Sequence, residues 1–96
     1  MEIPKPEDFV LVEKRFTGNS NISAISYRFK TTLLLADAKK YYRQAEAEKR
    51  LSDNPIVTEF DVLDAQIVFR SGNRMVSIDY IGGNDVAFAI RCSEPH

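Results

Sequence analysis

One segment of this chain has helical periodicity, and nearly everything else alternates. Around Ala38, at 100° per residue, Leu34, Leu35, Tyr41, Tyr42 and Ala45 fall on one side. Lys39, Lys40, Arg43, Glu46 and Ala47 fall on the other. A single amphipathic helix covers one face of one sheet, so the pattern predicts a two-layer α+β domain. The helix is expected over residues 34–50, with Thr31 and Thr32 as candidate caps, and Asp37 and Lys49-Arg50 complementing its dipole. Ser52-Asp53-Asn54-Pro55 supplies a stop, and Leu51, off the stripe, is expected to pack just beyond it.

The alternating segments read as strands. Residues 9–16 are rich in aromatic and β-branched side chains, and Thr17-Gly18-Asn19-Ser20-Asn21 is a turn cluster. In the next strand Ile25, Tyr27 and Phe29 share one face, while Ala24, Ser26, Arg28 and Lys30 share the other. After the helix, residues 56–60 are a weaker strand candidate, and residues 65–70, 75–81 and 86–92 are firm ones. Ser71-Gly72-Asn73 and Gly82-Gly83-Asn84-Asp85 have hairpin-turn chemistry. The expected architecture is one helix packed on a single antiparallel sheet of five or six strands, in the order ββα(β)βββ. Residues 1–96 form a single domain, with residues 1–8 an extended lead-in and 93–96 a frayed tail.

Composition narrows function chiefly by exclusion. The lone cysteine, Cys92, leaves no internal disulfide and no cysteine metal cluster, and the lone histidine, His96, is the last residue. Nucleophile-plus-base chemistry would have to join these two, and Cys92 reads instead as a small strand residue. Glu59, Asp61 and Asp64 are the densest acidic group, without a glycine-bearing cation loop, and they read as a solvated strand end. Neither G-x-x-x-x-G-K nor G-x-G-x-x-G occurs. No cofactor is implied, and the chain is expected not to be an enzyme.

Leu33-Leu34-Leu35-Ala36 is the longest apolar run, far below the ~20 residues of a membrane-spanning helix. The compartment is open: cytoplasmic, or an envelope domain without its signal or anchor. The net charge of -1 conceals an internal polarity. Residues 28–50 carry seven basic and three acidic side chains, and residues 51–96 carry three basic and seven acidic. A basic helix with Tyr41 and Tyr42 is one route to nucleic acid, but both tyrosines sit on the apolar stripe, so nucleic acid is disfavoured.

The expected site is the sheet face opposite the helix. By parity it carries Ser26, Arg28, Gln66, Arg70, Ser77, Asp79 and Arg91, with Ala24, Val68, Ala87 and Ala89 between them. Small residues flatten that face, and arginines fringe it. Such a surface suits bidentate recognition of carboxylate or phosphate, or a protein partner, including a second copy of the chain.

Several short motifs resemble those of small bacterial β-β-α-β-β-β domains of unknown function found in cell-envelope proteins. These are the Thr31-Thr32 step, the helix opening at Asp37, Tyr41-Tyr42-Arg43, and the Ser71-Gly72-Asn73-Arg74 turn. The chain departs from that pattern where such helices close with Gly-Trp, having Arg50-Leu51 there and no tryptophan. The resemblance implies the same topology and an envelope setting, and it transfers no catalytic residue.

Overall fold

A computed structural model describes residues 4–51 and 57–95. The elements are β1 (Val10–Gly18), β2 (Ile22–Lys30), α1 (Leu35–Ala47), β3 (Val57–Val62), β4 (Gln66–Ser71), β5 (Arg74–Tyr80) and β6 (Phe88–Pro95). One helix and one antiparallel six-stranded sheet make the fold α+β, with strands ordered β1-β2-β6-β5-β4-β3. The C-terminal strand therefore inserts between the β1–β2 hairpin and the β3–β4–β5 meander. α1 makes the long crossover from β2 to the far edge at β3.

Local chemistry accounts for the hairpins. Asn19 accepts the Asn21 and Ile22 amides on Oδ1 at 2.7 and 3.0 Å and donates its own amide to the Ile22 carbonyl at 2.9 Å. Between β4 and β5 the loop is Gly72-Asn73, and Gly72 takes φ +60°, the sign required at the first position of a two-residue hairpin turn. The β5–β6 loop is longer than a tight turn. Ile81 and Gly82 both donate to the Ala87 carbonyl, and Gly83 donates to that of Val86. Val86, expected to begin the last strand on its core face, lies in this loop and is half-buried. At the other end β6 runs to Pro95, through residues expected as a frayed tail.

The core lies between helix and sheet. Ala38, Tyr42 and Ala45 of α1 cluster with Phe29, Ile67, Phe69, Val76, Ile78, Phe88 and Ile90. Leu51 packs there just beyond the helix, as its position off the stripe predicted. The N-terminal lead-in also contributes. Phe9 is buried between Phe29 and Phe88, with ring centroids at 5.3 and 4.9 Å. The Tyr42 hydroxyl donates to the Pro4 carbonyl at 2.8 Å, tying the lead-in to the helix.

The helix boundaries differ from expectation at both ends. Leu34 is the N-cap and offers no side-chain acceptor, while Thr31 Oγ1 caps the Leu33 amide instead, three residues too early to serve α1. At the other end the helix stops at Ala47, so Lys49 and Arg50 lie outside it. The Lys49 amide donates to Glu46 and that of Arg50 to Ala45, with Lys49 in the left-handed region at φ +58°. This is a Schellman closure made without glycine. The stop expected at Ser52-Asp53-Asn54-Pro55 lies outside the described residues.

Lys49→Gly removes the left-handed cost at a fully solvated position and should stabilise the fold by about 1 kcal/mol in urea unfolding. The Tyr42 phenol is held well above its usual pKa, first by burial and then by the neighbouring Tyr41. Above roughly pH 10 the unfolded chain releases this proton while the folded chain keeps it, so stability falls as pH rises. Tyr42→Phe should cost about 1 kcal/mol at neutral pH through loss of the Pro4 bond, and should shallow that alkaline decline. Urea titrations of both proteins from pH 7 upward read the two effects together.

Candidate functional site

The face opposite the helix is assembled by the β2–β6–β5–β4 pairing. Ser26 lies opposite Arg91, Arg91 opposite Ser77, and Ser77 opposite Val68, forming one row across the strands. The next row runs Arg28, Ala89, Asp79 and Gln66. Six of the expected site residues thus fall in two adjacent rows. Ala89 is buried within the second row and Ala24, paired with Ser93, is buried just beyond the first, and both keep the floor flat. Ala87, expected on this face, instead precedes β6; it is buried in the core cluster and donates its amide to Phe29.

Asp79 organises the acidic side of the face. Its carboxylate accepts Gln66 Nε2 at 2.7 Å and the Ser77 hydroxyl at 3.2 Å. The basic side is not matched to it. Arg28 Nε is shielded from solvent and has no hydrogen-bond partner. Its cross-strand neighbour on β1 is Glu13, whose carboxylate turns to Arg15 instead. Among the described residues, no carboxylate lies within ion-pair distance of Arg91.

Arg70 shares the face but stands apart. It pairs across β4–β5 with Met75, and its Nε lies 3.4 Å from Glu59, an ion pair that misses hydrogen-bond alignment. Glu59 reaches it because β3 is irregular there, with Glu59 at φ +55° and a register shift between Thr58 and Asp61. A regular strand would put Glu59 and Asp61 on one face, and this irregularity breaks that alternation. Among the described residues, no group of three or more histidine, cysteine, aspartate or glutamate side chains is arranged to hold a metal.

A second surface escaped the sequence reading. Phe16, Ile25, Tyr27 and Cys92, with Ser23, Ala24, Arg74 and Glu94, line an open groove of about 300 Å³ on the helix side of the sheet. Parity put Ile25 and Tyr27 on one face with Phe29 and gave Phe16, at the end of the first strand, no face at all. The helix does not cover Phe16 and Ile25, and Tyr27 packs only at the margin of the core cluster. Thirteen residues make a rod about 20 Å long and about 10 Å across. Six strands span about 24 Å, and a nine-residue strand runs about 30 Å. Phe16 is therefore 73% exposed, with the Lys14 ammonium 5.1 Å from its ring centroid. Burial in the groove wall pushes the Cys92 thiol pKa up, assisted by Glu94 and opposed by Arg74. The alternative pairing of Cys92 with His96 extends outside the described residues.

The basic surplus of residues 28–50 is divided between layers. Arg28 and Lys30 stand on the open sheet face, whereas Lys40 and Arg43 lie on the outer side of α1. No single surface collects them. No helix of the described residues is long and apolar enough to cross a membrane.

Comparison with known protein families, with characterised proteins and with solved structures finds no match to this chain. Function therefore has to be argued from the two surfaces.

Asp79→Ala deprives Gln66 and Ser77 of their shared acceptor and should cost about 1–2 kcal/mol in urea unfolding. Asp79→Asn keeps one carbonyl acceptor and should recover part of that loss.

Proposed function

We propose that this chain is a non-enzymatic binding module that docks an acidic segment of a protein partner on its open sheet face. The observation that carries the reading is the pair Arg28 and Arg91, one row apart on this face and neither in an ion pair with a carboxylate among the described residues. A guanidinium without a carboxylate partner makes strong, charge-assisted bidentate bonds to an incoming one. Arg91, one row away and free of carboxylate, supplies a second fork beside it. The alanine and serine floor lets an extended segment approach both. Cys92 favours this reading over covalent chemistry, since its raised pKa keeps it a thiol rather than a thiolate nucleophile.

The same arginines also suit a small carboxylate or phosphate ligand, and one experiment separates the two. An oligoglutamate peptide titrated into labelled protein should shift the amide resonances of Ser26, Arg28, Ser77, Ala89 and Arg91. The Arg28→Ala/Arg91→Ala double variant should abolish those shifts. If inorganic phosphate or acetate instead raises the melting temperature of the wild type alone, the small-ligand reading replaces this one. Peptide shifts confined to other surfaces, or no shifts at all, contradict docking on this face.

A further inference from the structure

The edge strand β1 is exposed along almost its whole length. Val10, Leu11, Val12 and Phe16 are all large, apolar and more than half exposed. Such an edge presents unpaired backbone groups to any strand that can align with it. Two features restrict which strands can. A bulge between Leu11 and Glu13 interrupts its regularity, and Glu13-Lys14-Arg15 places three charges in succession on the regular part. Those charges deter an indiscriminate strand and select one whose charges run in the opposite order.

We propose that this strand is a second copy of β1, paired antiparallel about Lys14, which joins two six-stranded sheets edge to edge around a two-fold axis. In that register each Glu13, which pairs with Arg15 of its own chain, also faces the other copy's Arg15, so the two pairs join into one cluster of four alternating charges. The neighbouring in-phase registers fail. Centring on Glu13 sets glutamate against glutamate, and centring on Arg15 sets arginine against arginine. The two Lys14 residues do meet on the axis. Their ammonium groups, however, are drawn back over Phe16 and Tyr27, at 5.1 and 5.5 Å from the ring centroids, which takes the charge away from the axis. Residues 13–15 of each copy pair on the regular side of the bulge, and each exposed Phe16 meets the other copy's Val12, the bulge residue itself. This edge is distinct from the open face, and the pairing stands whether or not that face docks an acidic segment.

Light scattering over a rising concentration series tests it with three proteins. Wild type should pass from the mass of one chain to that of two. Arg15→Glu, which sets glutamate against glutamate in the proposed register, should remain at one. The exchange Glu13→Arg/Arg15→Glu restores the complement and should regain the dimer. Arg28→Ala/Arg91→Ala should dimerise like wild type, so failure of the open-face reading leaves this test untouched. A wild type that stays at one chain, an Arg15→Glu variant that still dimerises, or an exchange that fails to restore pairing overturns the proposal. Should Arg15→Glu lose its fold by circular dichroism, amide exchange on wild type decides. The outward amides of β1 should gain protection with concentration while those of β3 do not, and unchanged β1 protection overturns it.

Discussion

The pairing of β6 with β2 on one side and β5 on the other holds the two halves of this protein together. The N-terminal hairpin alone buries little: β1 is exposed on both faces, and two strands in isolation are marginal in water. The β3–β4–β5 meander has alternating burial but ends at an open edge. β6 closes that edge, and it brings Phe88 and Ile90 to the middle of the core, between Phe29 and Tyr27 on one flank and Tyr80 and Ile78 on the other. Its contacts with β2 span some sixty residues of sequence, so the loop-closure entropy they offset is among the largest in the chain. Folding is expected to wait on this strand.

The same insertion creates the open face. Arg28 and Asp79 belong to strands that are not neighbours, and they lie in one row because Ala89 stands between them. Ser26 and Ser77 flank Arg91 for the same reason. The make-up of the face thus depends on the last strand, although most of its polar groups lie earlier in the chain. Asp79 is occupied by Gln66 and Ser77, and Glu13 by Arg15, so the carboxylates nearest to Arg28 and Arg91 are engaged elsewhere. A basic surface is left next to an acidic one that is already satisfied.

Much of this was legible in the sequence, and the remainder was not for identifiable reasons. Alternation placed Ile67, Phe69, Val76, Ile78, Tyr80, Val86, Phe88 and Ile90 on the core face, because a side chain's face depends only on its own strand. All are buried but Tyr80, exposed at the end of β5, and Val86, half-buried in the loop before β6. The shared face of Ser26, Arg28, Gln66, Ser77, Asp79 and Arg91 followed from the same parity. The strand order did not, since hairpin turns report only consecutive neighbours and β2–β6 is not a hairpin. The helix end was misplaced because Lys49 closes the helix at a position where glycine would have been the visible signal. The groove lined by Phe16 and Ile25 was not legible, because periodicity cannot tell how far a thirteen-residue helix extends over the sheet. Irregular β3 concealed the Glu59–Arg70 pair, which only a broken alternation brings together.

The strand order is best tested by nuclear Overhauser contacts between backbone protons in the labelled protein. Insertion of β6 requires contacts from Tyr27 to Ile90 and from Ile90 to Ile78, together with Ser26 to Arg91 and Arg91 to Ser77. Finding both sets places β6 between β2 and β5. Contacts from β2 directly to β3 or β5, with β6 at an outer edge, would contradict the account and dismantle the face built on it.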